Sequence, residues 1–385
     1  MNTLPSPSRR MVLRGAISGA VAGTAFGFPM INSGSFAAAP GSAKRYSKRT
    51  LDILAKTLVI DMLAVPKLDF TPDVFSRPLT AQQVADFRAC GITGFHNSIG
   101  IGGAQAREEA LIFLASWQGF AGRNSDLFSL VGSIKDLDRA KAERKIGMIM
   151  GLQNAEQFAA PEDVLLFYRL GLRCAQLTYN TQNLIGSGST DRVDGGVSDF
   201  GEGIITAMNS AGMLVDVSHS GDRTTLDAIK LSKQPIAITH SNCRALCNHP
   251  RAKTDEAILA LGKTDGVMGI SGVRMFVKAT DPTTLSDMVD HIDHVVKLIG
   301  IDHVGIGSDA DLNGYDDMPP DQYAALKASY KASYAFRDKI DIEGFDHPMK
   351  MFDLTEELIR RGWSDANIAL LLGGNFHRLL GAVWK

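Results

Sequence analysis

Eight short apolar runs, each followed by an amphipathic stretch, limit this chain to very few folds. They are LVIDMLA (58–64), ITGFHNSI (92–99), KIGMIMGLQN (145–154), CAQLTY (174–179), MLVDVSH (213–219), PIAITHS (235–241), GVMGISG (266–272) and HVGIGSD (303–309). A short run rich in Val and Ile, without polar alternation, marks a strand covered on both faces, as in parallel sheets. The stretches between them, such as PEDVLLFYRLG, FGEGIITAMNSAG and TLSDMVDHIDHVVKLIG, carry apolar residues three and four apart, the helical period. Eight such units predict an α/β fold, a (β/α)8 TIM barrel, whose reaction centre lies at the carboxyl ends of the strands. An open doubly wound sheet is the alternative, disfavoured because no GxGxxG follows the first run. The closing segments DLTEELIRRGW and SDANIALLLGGNFHRLLGAVW read as a helix pair packed on the bottom or side of the barrel.

The runs are informative at their ends. His219 closes VDVSH, His240 sits at the end of AITHS, and Asp309 follows GIGS. Two imidazoles delivered by consecutive strands to one rim are a typical ligand pair for a first-row metal, above all zinc. A carboxylate on the same rim suits proton transfer. These features point to a metal-dependent hydrolase.

Composition narrows the partners. The chain has 385 residues, 45% of them hydrophobic, and a net charge of -2, so nothing electrostatic predicts binding to nucleic acid or an anionic membrane. Ser8-Arg9-Arg10-Met11-Val12-Leu13-Arg14 is a twin-arginine signature, followed by a weakly apolar Gly/Ala run and small residues near 37–43. Residues 1–43 are therefore expected to be a signal peptide for the twin-arginine export machinery, with a periplasmic product, and residues 44–385 a single catalytic domain. Cys174 reads as a buried free thiol. Cys243 and Cys247 would be too far apart for a relaxed disulfide on one helical turn, and a loop leaves their pairing open.

From about residue 50 onward the chain resembles the membrane (renal-type) dipeptidase family of zinc peptidases. The resemblance rests on DVSH with His219, THS with His240, HPR with Arg251, GIGSD with Asp309 and GGNFHRLL around Asn375. It implies zinc binding by His219 and His240, a grip on the substrate carboxylate by Arg251, and proton transfer by Asp309. The family's substrate-contacting histidine falls at Tyr179, in LTYNTQN, where Asn183 is a further expected substrate contact.

Departures from the family pattern are as informative. Leu63 and Val65 stand where an HxD pair would hold the first zinc, and Gln153 stands where a glutamate would bridge two ions. The expectation is one Zn2+ or other divalent ion per chain, with two as the alternative count. Its third ligand would be Gln153, Glu156 or His96, with Asp61 a further candidate. The expected activity is hydrolysis of a dipeptide, the peptide being the partner alongside a homodimer left open. Hydrolysis of another small amide or a lactone, or ligand binding by a barrel that has lost its chemistry, are the alternatives.

Overall fold

The computed structural model describes residues 46–64, 76–312, 314–315, 324, 327–328 and 330–385. The predicted targeting segment, residues 1–43, and Val65 lie outside the described residues. Among the described residues, nine parallel strands form one sheet: β1 (Ile60–Asp61), β2 (Gly94–Ile99), β3 (Phe128–Leu130), β4 (Ile146–Leu152), β5 (Leu172–Gln176), β6 (Leu214–Asp216), β7 (Ala237–Ser241), β8 (Val267–Ile270) and β9 (Val304–Ile306). β2 pairs with β1 on one edge and with β4 on the other, from Gly94↔Gly147 to Ile99↔Leu152. That second pairing closes a ring of eight strands in the order β1, β2, β4, β5, β6, β7, β8, β9 and back to β1.

All eight runs read from the sequence supply ring strands, and their burial explains why. Every residue of β4, β6, β7, β8 and β9 is buried, so no polar alternation interrupts them. β3 was not expected. It is three residues long, ends on exposed Leu130, and pairs with the first residues of β4 outside the ring.

Local signals set the helix limits. The hydroxyls of Ser198 and Thr254 cap Asp199–Ala211 and Asp255–Gly262 by accepting from Gly201 N–H and Ala257 N–H. Helix Asp163–Arg169 begins just after Pro161-Glu162, and Gly171, at φ +103°, lets the chain turn into β5. All four cysteines are free and buried; Cys243 and Cys247 are joined across one turn by a backbone bond of 3.1 Å.

Two packed layers follow. Helices cover the outside of the ring through one large apolar cluster. Inside, a second cluster joins Ile60, Met62, Ile149, Leu214 and Val267 to Phe376, Leu379 and Leu380 of helix Asn375–Val383. The C-terminal helix therefore plugs the bottom of the barrel, leaving the opposite end for chemistry. Asn375 fixes the plug by donating its side-chain N–H groups to the carbonyls of Ile301 (2.6 Å) and Val304 (2.7 Å). Gly305 makes room for it, since a Cβ there would overlap the Phe376 ring.

Phe376→Ala should cost about 3–5 kcal/mol, the usual effect of emptying a buried aromatic site. Denaturant unfolding with an unchanged m-value is the expected result.

Candidate metal and substrate site

Two consecutive ring strands end in the histidine pair. The Nε2 atoms of His219 and His240 stand 3.0 Å apart, both rings being buried. Each ring is oriented from behind. His219 Nδ1–H donates to Asn180 Oδ1 (2.7 Å), and Asn180 holds the required left-handed backbone, φ +61°. His240 Nδ1 lies 2.9 Å from Thr239 Oγ1, whose own proton goes to Asp216 Oδ2 (2.6 Å), so the imidazole is the donor.

The tautomers follow from these partners. With both Nδ1 atoms protonated, two Nε2 lone pairs face each other at 3.0 Å. Burial, and next the nearby Arg251 cation, hold both imidazoles well below the ordinary histidine pKa, so both are neutral. Opposed lone pairs at this distance repel unless a cation lies between them. Their separation is less than twice the nitrogen–metal distance of about 2.0–2.1 Å, so one divalent ion can bind both. The pair fits a single ion. Among the described residues, no group of three His, Cys, Asp or Glu side chains is placed to hold one.

Two of the other expected ligands, Asp61 and Glu156, are engaged elsewhere, while His96 keeps one ring nitrogen free. Asp61 is buried at the end of β1, with Oδ1 accepting from Ser308 N (2.8 Å) and Leu63 N (3.3 Å) and Oδ2 from Ser308 Oγ (2.6 Å). It clasps β1 to the turn after β9, and burial raises its pKa against the pull of Lys350. Glu156 is exposed and accepts from Gly103 N (2.5 Å) and Asn154 Nδ2 (3.1 Å). Gln153 is buried at the end of β4 and donates to Ser98 O (3.1 Å). His96 donates from Nδ1 to Met62 O (2.7 Å), leaving a buried Nε2 without a partner.

The electrostatics of the rim are divided. Arg251 is buried across the turn from the histidines; its guanidinium donates to the carbonyls of Ser218 and His240 (3.4 Å for the latter) and lies over the Phe276 ring. Its Nε–H has no partner. Asp309, partly exposed, has φ +53° and donates its N–H to Leu63 O (2.9 Å). Loss of solvent pushes its carboxyl up to about 7; Arg251 opposes the shift and Asp61 adds to it. A carboxyl near 7 can both take and give a proton at neutral pH.

Tyr179 stacks on His219, with ring centroids 4.3 Å apart, and its hydroxyl meets that of Tyr330 at 2.9 Å. Tyr330 lies 4.5 Å from Tyr334, so an aromatic cluster from beyond β9 adjoins Tyr179. Asn183 is kept by its own loop. Its side chain donates to Asn154 Oδ1 and Leu177 O and accepts from the N–H groups of Ile185 and Gly186.

The structure thus gathers His219, His240, Arg251, Asp309 and Tyr179 at one mouth, and gives Asp61, Glu156 and Asn183 structural partners. The sequence reading missed Asn180, Thr239 and Asp216, which orient the imidazoles, and Tyr330, which meets the Tyr179 hydroxyl. Asn180 and Thr239 are adjacent to residues already singled out, which is the one signal that could have found them.

Comparison with known proteins identifies the family. The family model for membrane dipeptidase (peptidase family M19) matches residues 80–323 and 335–385. Dipeptidase verJ of Clonostachys rogersoniana is 32% identical over 264 residues, and dipeptidase aclJ of Aspergillus oryzae 31% over 244. These matches cover 68% and 62% of this chain but 61% and 52% of those relatives, so the chain spans little more than half their length. The crystal structure of an amidohydrolase from Pseudomonas aeruginosa superposes with a TM-score of 0.76 at 30% identity, covering 87% of this chain and 99% of that one. With the barrel, the strand-end histidines and a family match over most of its length, the chain belongs to the membrane dipeptidase family, peptidase family M19.

Proposed function

We propose that this protein hydrolyses dipeptides with the help of one divalent metal ion, most simply zinc, held by His219 and His240. The observation that carries the reading is the pair of neutral imidazoles whose lone pairs converge at 3.0 Å beside an arginine with an unpaired N–H. Bound there, the ion supplies Lewis acidity toward the peptide carbonyl. Arg251 offers its free Nε–H and its charge to the substrate's terminal carboxylate. Asp309 accepts a proton as water adds to the carbonyl and returns it to the departing amine nitrogen. Asn180 and Thr239 keep the imidazoles turned inward, and Tyr179 covers the face of His219, away from bulk water. The twin-arginine signature supports export to the periplasm as part of the same reading.

Elemental analysis tests the ion count: about one equivalent per chain is expected for the native protein and none for the His219→Ala, His240→Ala double variant. Asn180→Ala should weaken metal affinity about 10–100-fold, as loss of an orienting partner does elsewhere.

Asp309→Asn separates chemistry from folding. Turnover should fall by orders of magnitude while metal content stays unchanged. Stability should move the other way. A carboxyl raised to about 7 in the fold binds its proton more tightly than in the unfolded chain, so the charged form destabilises the fold once the pH exceeds the unfolded value. Asp309→Asn should therefore melt higher than wild type at pH 8, and the gain should shrink as pH falls through 7 toward 4. Arg251→Ala should raise KM for dipeptides and leave neutral amides without a carboxylate almost untouched; equal effects on both would overturn its role.

A further inference from the structure

Tyr179 is held on three sides. Its ring stacks on that of His219, with centroids 4.3 Å apart and planes 19° apart. Gly100, which follows β2, makes room for it, since a Cβ there would come within 2.8 Å of Tyr179 Cε2. The third contact is made by the phenol oxygen, 2.9 Å from the hydroxyl of Tyr330 in a partly buried pair. Packing accounts for the first two contacts; only the third depends on the oxygen.

Tyr330 is fixed in its turn. It and Tyr334 belong to residues 324–334, between the two stretches that the family model matches, so the family pattern assigns them nothing. Lys331 donates to Thr190 O at 2.7 Å on one side, and on the other His249 Nε2–H donates to Tyr334 O at 2.8 Å. His249 Nδ1 accepts from Arg251 N, which leaves the ring proton on Nε2. The Tyr334 ring meets Phe276 edge-on at 5.6 Å, and Tyr330 packs 4.5 Å from Tyr334 and 5.1 Å from Phe336. The segment is thus tied both to the loop after β5 and to the turn that carries Arg251, which sets Tyr330 opposite Tyr179.

Two phenols bring two protons, and one of them lies between the oxygens. Burial, and next the neighbouring phenols of Tyr330 and Tyr334, hold the Tyr179 hydroxyl well above its ordinary pKa, so it keeps its proton at neutral pH. With Tyr330 as the donor, the Tyr179 proton points to a third atom, and a phenol that already accepts is the stronger donor. A dipeptide offers two kinds of acceptor at this mouth. Its carboxylate is the partner assigned to Arg251; the other is the peptide carbonyl oxygen, which gains negative charge as water adds. We propose that Tyr330 is a positioning residue whose hydroxyl donates to Tyr179, so that Tyr179 donates to the peptide carbonyl oxygen of the substrate. This rests on the dipeptidase reading and adds to it a residue from outside the family pattern.

The test measures hydrolysis of L-Ala-L-Ala by metal-loaded wild type, Tyr179→Phe, Tyr330→Phe and the double variant, together with metal content and melting temperature. Each substitution keeps the ring and removes one oxygen. Tyr179→Phe should lower kcat about 10²–10³-fold, the usual loss when a donor to a developing oxyanion is removed. Tyr330→Phe leaves that donor in place but unsupported, and should lower kcat about tenfold, the worth of one hydrogen bond. KM and metal content should change little, because the interaction strengthens only as the carbonyl oxygen gains charge. The double variant should be no slower than Tyr179→Phe, since Tyr330 acts only through Tyr179.

A Tyr330→Phe enzyme with wild-type kcat overturns the proposal, as does a double variant slowed by the product of the two single effects. A loss confined to KM or to melting temperature also overturns it, that being what a merely structural contact gives. If wild type holds its metal and hydrolyses no dipeptide, the dipeptidase reading fails and ultraviolet resonance Raman spectroscopy decides the phenol pair alone. The tyrosine doublet, taken as wild type minus Tyr179→Phe, reports whether Tyr179 accepts a hydrogen bond. An accepting Tyr179 that loses this signal in Tyr330→Phe sustains the positioning role; a Tyr179 that only donates overturns it.

Discussion

The mouth depends on one carboxylate that never meets solvent. Asp216, at the end of β6, accepts through Oδ1 from Ser218 N (3.0 Å), Ser218 Oγ (2.6 Å) and Thr239 N (3.0 Å), and through Oδ2 from Thr239 Oγ1 (2.6 Å). Ser218 Oγ in turn accepts from His240 N at 3.1 Å. β6 and β7 share a single register pair, Asp216↔Ala237, so this knot supplies what the ladder does not. It also fixes Thr239 Oγ1 as an acceptor, which sets the tautomer of His240. A charged group so deeply placed is tolerated because every hydrogen bond it accepts is made, and removing any donor would leave part of that charge uncompensated.

Lys253 performs the complementary task on the next turn. Its ammonium is buried and donates to Val217 O (2.6 Å), Ser220 O (2.8 Å) and Thr225 Oγ1 (3.0 Å), and burial lowers its pKa to about 7. The two carbonyls flank His219 in sequence, so the turn that carries the first imidazole is held by a cation while the strand end before it is held by an anion. The histidine pair is rigid because both of its supports are fully bonded.

How much of this was legible depended on the range of the interaction. The barrel was legible because double-sided burial writes itself into local composition, as in IGMIMGL of β4; the short outer strand Phe128–Leu130 carries no such run. His219, His240 and Asp309 were legible because a polar residue ending an apolar run is itself a local pattern. Their supports were not. Asn180 and His219 are 39 residues apart and Tyr179 and Tyr330 are 151 apart, and no spacing rule joins them. Asp61 was misleading for a related reason: a strand-end carboxylate reads as a ligand until Ser308, 247 residues away, is found on it.

The aromatic cluster also bears on exchange. Tyr179 stacks on His219, and its hydroxyl meets that of Tyr330 from a distant segment. For the ion proposed above, movement of that contact would be part of the exit path, so stripping by a chelator would reach a ceiling independent of chelator concentration.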